Sequence, residues 1–107
     1  MSNDRLHQLR EMLAEEPGDL FIRYAITLEL KRKGAMEEAI AGLRSILSEE
    51  PAHIASYYQL ALLLAELGNT QDAITTCEAG ALQCLVTGDR KARAELLELR
   101  ETLLDDH

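Results

Sequence analysis

Residues 17–50 read PGDLFIRYAITLELKRKGAMEEAIAGLRSILSEE, and residues 51–84 read PAHIASYYQLALLLAELGNTQDAITTCEAGALQC. When the two stretches are aligned, the same residue types recur at a constant offset of 34 positions. The matched residues are Pro17 with Pro51, Gly34 with Gly68, Ala39-Ile40 with Ala73-Ile74, Tyr24 with Tyr58, Leu28 with Leu62 and Leu30 with Leu64. Self-similarity at such a period is typical of stacked repeats, in which one supersecondary unit recurs along the chain.

Each unit contains two runs of apolar residues at helical spacing, and a glycine separates the two runs. In the first unit the runs are Ile22, Ile26 and Leu30 before the glycine, and Ile40, Leu43 and Leu47 after it. This pattern predicts a helix hairpin, because Gly34 and Gly68 can take the left-handed conformation that ends a helix. Asp19 is placed to cap the helix that begins near Leu20, and Thr70 is placed to cap a later helix through its hydroxyl.

The same register continues on both sides of the two units. Residues 9–17 match residues 43–51, so the first helix corresponds to the second half of an earlier repeat. After the second unit, Leu85 stands where the next proline would fall, and the break comes later, at Thr87-Gly88-Asp89. An amphipathic helix with Ala92, Leu96, Leu99 and Leu103 on one stripe then predicts a cap over the end of the stack. The predicted helices are 3–15, 20–33, 36–49, 53–67, 70–86 and 90–105.

The spacing and residue types over residues 17–84 resemble the tetratricopeptide repeat (TPR), as in a small stand-alone protein of bacterial type. The residues that match the large, leucine, small and large positions of that family's first helix are Tyr57, Leu60, Ala61 and Leu64. In the first unit Arg23 stands in place of the usual aromatic residue, and Thr27 in place of the usual glycine or alanine. We expect these departures to weaken the first unit without changing the assignment.

The resemblance implies an all-α fold, in which antiparallel helix hairpins form a right-handed superhelix of about six helices. It divides a single TPR domain, residues 1–107, into a half repeat (1–16), repeat 1 (17–50), repeat 2 (51–86) and a capping helix (89–106). Ala39 and Ala73 are expected to let paired helices approach closely, because a larger side chain would force them apart.

The composition argues against nucleic-acid and membrane partners. The 107 residues carry a formal net charge of -8, which repels a phosphate backbone, and we interpret Lys31-Arg32-Lys33 as a solvated helix end. No apolar signal core follows Met1 and no stretch is long enough to cross a bilayer, so we expect a cytoplasmic protein. Cys77 and Cys84 lie about 10 Å apart along a predicted helix, beyond disulfide reach, and are expected to be small core residues.

In the proteins that this chain resembles, the first helix of each hairpin lines a concave groove. The corresponding positions here are Phe21, Tyr24, Leu28, Lys31 and Arg32 in the first unit and Ala55, Tyr58, Leu62, Ala65 and Glu66 in the second. Tyrosines suit a binding surface, because each offers a rigid apolar ring and a hydroxyl at a modest entropic cost. The alternative is that Tyr24 and Tyr58 pack between helices or under the C-terminal helix, which would fill part of the groove.

The chemistry of the groove favours an apolar ligand. Some members of the TPR family hold the C-terminal carboxylate of heat-shock chaperones with Lys, Asn and Arg side chains at fixed groove positions. In this chain those positions carry Tyr24, Leu28, Tyr58 and Leu62. A carboxylate there would lose its hydration without gaining polar partners. We therefore predict that a peptide or amphipathic helix of another protein binds, with its acidic residues near Lys31 and Arg32.

The sequence contains no recognisable catalytic motif, so we expect no enzyme activity. His7, His53 and His107 are interpreted as surface residues, and no cofactor or metal site is predicted. Glu37 and Glu38 lie in the first turn of a helix, where the helix dipole favours negative charge. The leading hypothesis is a non-catalytic adaptor that binds a partner protein. The alternatives are a self-associating, homodimeric assembly element and, third, a hydrolase.

Overall fold

The computed structural model describes residues 4–105, which form six α-helices and no strand. In chain order the helices are α1 (Arg5–Glu15), α2 (Leu20–Arg32), α3 (Met36–Glu49), α4 (Ile54–Glu66), α5 (Thr70–Thr87) and α6 (Arg90–Asp105). The prediction of an all-α chain of about six helices is confirmed, and each observed end lies within two residues of the predicted one. Residue 3, the predicted start of the first helix, lies outside the described residues.

Each helix lies against the next one along the chain, from α1 on α2 to α5 on α6. The hairpins are α2 with α3 and α4 with α5, and a glycine ends the first helix of each, as predicted. Gly34 and Gly68 take φ angles of 84° and 85°, which residues with a side chain rarely adopt. The backbone N–H of Ala35 then donates to the carbonyl oxygen of Leu30 at 2.9 Å, which satisfies one of the last carbonyl groups of α2.

Of the two predicted helix caps, one is confirmed and one is wrong. Asp19 caps α2, because its Oδ1 accepts a hydrogen bond from the backbone N–H of Ile22 at 3.0 Å. Thr70 does not cap α5. The N-cap residue is Asn69, whose carbonyl oxygen accepts from the N–H of Ala73 at 3.0 Å, and no side chain accepts from the first turn. The helix starts at residue 70, as predicted, and Thr70 is its first residue rather than its cap.

Two clusters of buried apolar side chains hold the helices together. The larger cluster joins all six helices, with Leu43, Leu63 and Leu64 almost completely buried within it. The smaller cluster joins α4, α5 and α6 through Tyr57, Ala81, Cys84 and Leu96. Leu96 is only 1% exposed, so α6 is part of the core and covers the second hairpin.

The two cysteines are free and buried, in agreement with the prediction that they are small core residues. Burial raises the pKa of the Cys77 thiol to about 11. Burial also raises the pKa of the Cys84 thiol. Both side chains therefore stay protonated at neutral pH and act as small apolar groups rather than as nucleophiles.

The closest helix approach in the second hairpin occurs at a glycine. Ala39 and Ala73 are fully buried, as their predicted role requires. The sequence did not single out Gly80, where an added Cβ would lie 2.7 Å from the Cβ of Tyr57 and 2.9 Å from the Cδ1 of Leu96. At this point α5 passes α4 and α6 with no room for a side chain.

The two departures from the family pattern are accommodated by α3. Thr27 is buried, and a Cβ on Gly42 would lie 2.7 Å from its Cγ2 methyl group. Thirty-four residues further on, the equivalent pair is Ala61 and Thr76. The smaller residue of the pair is therefore on the second helix of the first hairpin and on the first helix of the second hairpin. One residue of each pair stays small, which keeps the two helices close.

Arg23, at the position of the usual aromatic residue, makes polar contacts with α3 instead. Its Nη1 donates to the Oε1 of Glu49 at 2.9 Å, and its Nη2 donates to the Oγ of Ser45 at 2.9 Å. The hydrogen bond from Arg23 lowers the pKa of the Glu49 carboxyl group. Hydrogen bonds thus replace ring packing in the first hairpin.

Candidate functional site

The helix faces that carry the predicted groove residues are open to solvent. On α2, Phe21 is 79% exposed and Leu28 is 37% exposed, and Arg32 continues the same stripe. The spacings of seven and four residues place the three side chains on one face of the helix. The equivalent residues on α4 are Ala55, Leu62 and Glu66, of which Leu62 is half buried. We call the surface formed by the ten predicted residues on these two helices the α2–α4 groove.

Tyr24 and Lys31 lie where α2 meets α4. The Tyr24 ring packs against the His53 imidazole, with ring centroids 5.1 Å apart and planes tilted by 55°. Lys31 Nζ donates to the Oε1 of Gln59 at 2.8 Å. Burial raises the pKa of the Tyr24 phenol, although a hydrogen bond with Gln59 opposes this effect. Both side chains join the two helices, and only part of each faces the groove.

Tyr58 lies where α4 meets α6. It lines a shallow cleft of about 220 Å³. The other lining residues are Ile54, Ala55, Asp89, Ala92, Glu95 and Leu96. The two tyrosines therefore fill successive junctions between neighbouring helices, and both are half buried. Phe21 and Leu28 are the exposed apolar side chains of the groove, while Ala65 packs against the core.

The basic run lies at the exposed end of α2, as predicted, and two of its side chains also pair with carboxylates. The Arg32 guanidinium donates to the carboxylate of Glu29, and Lys33 Nζ lies 3.1 Å from the Oδ2 of Asp4. The hydrogen bond from Arg32 holds the pKa of the Glu29 carboxyl group below its usual value. Sequence reasoning missed Glu29, which is buried beside α1, although its spacing of three residues from Arg32 is that of a helical ion pair.

The described histidines have different surroundings, and the prediction of a surface position is wrong for His53. His7 is exposed and its Nε2 lies 3.4 Å from the Oε2 of Glu11. His53 is half buried, because it sits under the neighbouring helix and its Nδ1 shares a hydrogen bond with the Oγ of Ser56 at 2.8 Å. His107 lies outside the described residues.

The acidic start of α3, metal binding and membrane spanning are the remaining points on which the sequence makes a prediction. Glu37 and Glu38 are exposed in the first turn of α3, as predicted. Within residues 4–105, no three His, Cys, Asp or Glu side chains lie close enough together to bind a metal ion. None of the six helices is both long and apolar enough to cross a bilayer.

The fold has counterparts among solved structures. A tetratricopeptide repeat domain protein from Salinibacter ruber, solved in solution and in a crystal, superposes with TM-scores of 0.78 and 0.77 at 29% and 28% identity. Each alignment covers 81% of this chain, and 88% and 97% of the two Salinibacter chains. A protein from Bordetella parapertussis superposes with a TM-score of 0.86 over 97% of this chain and 90% of its own, at 20% identity. No family model and no curated protein matches the chain.

Two helix hairpins that repeat at 34 residues, with a further helix on each side, define an all-helical repeat protein. The residues that recur at this period and the similarity to the Salinibacter structures both indicate a tetratricopeptide repeat. The chain resembles the tetratricopeptide-repeat proteins in its repeat pattern and in its fold. Folds of this kind generally serve as non-catalytic modules that bind other proteins.

Proposed function

We propose that the chain is a cytoplasmic adaptor that binds a peptide or amphipathic helix of a partner protein in the α2–α4 groove. The observation that carries this proposal is the exposure of Phe21, 79%, beside Leu28 on the same helix face. A phenyl ring left in water at the centre of a surface is a typical anchor for a partner, because its burial stabilises the complex. The half-buried tyrosines on either side would keep the floor of the groove rigid.

The expected ligand is apolar along one side. Phe21 and Leu28 on α2 and Leu62 on α4 offer apolar contacts, which suit the apolar side of an amphipathic helix. Arg32 is already paired with Glu29, and Lys31 with Gln59, so both can add only modest attraction for an acidic residue. We therefore expect apolar contacts to account for most of the affinity.

A display library of random peptides, selected on the intact chain, tests the proposal. We expect the selected peptides to carry apolar residues at helical spacing and to shift the amide resonances of residues around Phe21 and Leu28. The double variant Phe21→Ser, Leu28→Gln should bind them at least about tenfold more weakly, because two apolar contacts are lost. Met12→Gln is the matched control, since Met12 is 51% exposed on α1, away from the groove.

Two results would contradict the proposal that a peptide binds in the α2–α4 groove. One is a set of peptides whose affinity is equal for the double variant and for the Met12→Gln control. The other is self-association through the same face, the competing hypothesis. Light scattering separates the two hypotheses, because a homodimer through Phe21 would have twice the mass of a monomer and would dissociate in the double variant.

A further inference from the structure

A second exposed apolar surface lies at the end of α5, away from the α2–α4 groove. Leu82, Leu85 and Val86 are 62%, 61% and 77% exposed, and their spacing of three and four residues places them on one helix face. α5 has 18 residues, whereas its counterpart α3 has 14. The additional residues are at the C-terminal end of α5, where Leu85 occupies the position that corresponds to Pro51. The extension thus lengthens the helix and places apolar side chains in water.

The neighbouring start of α6 carries positive charge that pairs with no carboxylate among the described residues. Seven of the 11 Lys and Arg side chains lie within 4.0 Å of a carboxylate, and Lys31 bonds Gln59. Within residues 4–105 the remaining three have no carboxylate at that distance, and they are Arg90, Lys91 and Arg93. Asp89, beside them, accepts from the backbone N–H of Ala92 at 3.0 Å as the cap of α6.

Positive side chains are unfavourable in the first turn of a helix, where the dipole favours negative charge. α6 has no acidic residue in its first turn. A local arrangement that lowers stability in this way is a common mark of a functional surface. An external carboxylate would be attracted both by the three side chains and by the helix end.

The apolar and basic residues form one continuous surface. Leu85 and Cys84 line a cleft of about 450 Å³ together with Gly88, Arg90, Arg93 and Ala94. In the stack, α2 contacts α1 and α3, and α4 contacts α3 and α5. α6 contacts α5 and α4, and among the described residues no helix follows it. A further helix laid against α5 and α6 would occupy the place of the next helix in the stack.

We propose that this surface, the α5–α6 end surface of Leu82, Leu85, Val86, Arg90, Lys91 and Arg93, binds an acidic amphipathic helix of a partner protein. The apolar stripe of such a helix covers the three exposed side chains on α5, and its carboxylates pair with the basic residues on α6. This surface is separate from the α2–α4 groove, so a single chain can hold two partner segments.

The observed charges favour this partner over a membrane or a second copy of the chain. With a net charge of -8, the protein as a whole is repelled by an anionic lipid surface. A twofold dimer through this surface would bring two basic clusters together, and like charges in contact weaken an interface. An acidic helix is small enough to contact the basic cluster alone, whereas an extended anionic membrane also faces the acidic remainder of the protein, and a helix brings no second basic cluster.

The probes are three synthetic helical peptides with the same leucine stripe and with Glu, Gln or Lys at the flanking positions. We expect the Glu peptide to bind most tightly, to shift the amide resonances around Leu85 and Arg93, and to weaken as salt is raised. The Arg90→Glu, Arg93→Glu variant should reduce its affinity at least about tenfold. Arg44→Glu is the matched control, because Arg44 is exposed on α3 and its 4.0 Å contact with Asp72 is loose.

A Leu85→Ser, Val86→Ser variant should also lose binding of the Glu peptide. The residues changed in this variant and in the Arg90→Glu, Arg93→Glu variant are exposed, so the fold should tolerate both sets of changes. The proposal is overturned if the Gln peptide binds equally well or if the shifts appear only around Phe21 and Leu28. It is also overturned if the surface binds phosphatidylserine vesicles but not the Glu peptide. A dimer in light scattering that becomes a monomer in the Leu85→Ser, Val86→Ser variant would overturn it as well. The location of the shifts separates the two proposals, because binding at the α5–α6 end surface is observed around Leu85 and Arg93 whether or not the α2–α4 groove binds a peptide.

Discussion

Small residues at a few positions fix how closely the helices approach. An added Cβ at Gly80 would lie within 3 Å of Tyr57 and Leu96, whereas at Gly18 nothing lies within 4 Å. Tyr57 cannot move away easily, because its hydroxyl donates to the carbonyl oxygen of Pro51 at 2.6 Å. The contact at Gly80 therefore involves a ring that is held at both ends.

We predict that Gly80→Ala destabilises the protein. Alanine adds about 1 kcal/mol of helix propensity, but overpacking against Tyr57 and Leu96 costs roughly 1–3 kcal/mol, so the free energy of unfolding should fall. Denaturant unfolding followed by circular dichroism measures the change. Gly18→Ala is the control and should be neutral or slightly stabilising. Equal or greater stability of Gly80→Ala would show that the second hairpin can open to admit a methyl group.

The positions that sequence reasoning missed depend on two helices at once. The repeat offset places Ile46 opposite Gly80 in the alignment, and both residues are buried, so the period gave no sign of a close contact. The sequence predicts that His53 lies at the surface, because its own helix begins there, but the Tyr24 ring from α2 packs against it. The stripe of Phe21 and Leu28 could be predicted, since exposure on one helix follows from spacing alone.

Helix boundaries were predictable because single residues set them. The glycines at 34 and 68 end their helices through a positive φ, and Asp19 starts one through its side chain. The ion pairs that dock α1 on α2 could not be predicted, because they join residues far apart in the chain. Lys33 reaches Asp4 at 3.1 Å, and Arg5 lies 3.9 Å from Glu29.

We predict that α1 loosens in acid before the rest of the protein. A hydrogen bond from the His7 N–H lowers the pKa of Asp4, and the hydrogen bond from Arg32 lowers that of Glu29. A carboxyl group whose pKa is lowered on folding stabilises the fold above its unfolded pKa, and this stability is lost as pH falls through the folded pKa. Amide resonances of α1 should therefore change first as the pH falls below the usual pKa of an aspartate, 3.8, and of a glutamate, 4.5.

The Asp4→Asn, Glu29→Gln variant tests the origin of that change, because it keeps the shape of both side chains and removes their charge. Its α1 resonances should already resemble those of the acidified protein at neutral pH and should change little on titration. If the variant titrates like the unmodified chain, other carboxyl groups control the docking of α1. Glu49→Gln is the matched control, since Glu49 is also lowered in pKa but pairs α2 with α3.

The molecule as a whole is a short stack, 43 × 29 × 20 Å, and few helices share the task of covering its core. A stack of repeats buries each hairpin only against its neighbours, so the end helices contribute a large share of the stability. The sequence predicted a covering role for the last helix from its apolar stripe. The structure adds that its first turn carries positive charge with no carboxylate within reach among residues 4–105, a feature that a helix which only covered the core would not need.

Removal of residues 90–107 should expose Tyr57, Ala81 and Cys84, which Leu96 now covers. Burial of Leu96 and Leu103 contributes about 1.5–3 kcal/mol each, a large part of the roughly 5–15 kcal/mol that holds a domain folded. We therefore expect a lower thermal midpoint and, by light scattering, concentration-dependent association through the exposed cluster. Leu96→Ala in the full chain should lose about 2–5 kcal/mol yet stay monomeric, because α6 still covers the surface. A truncated chain with unchanged midpoint and mass would mean that α5 closes the core without α6.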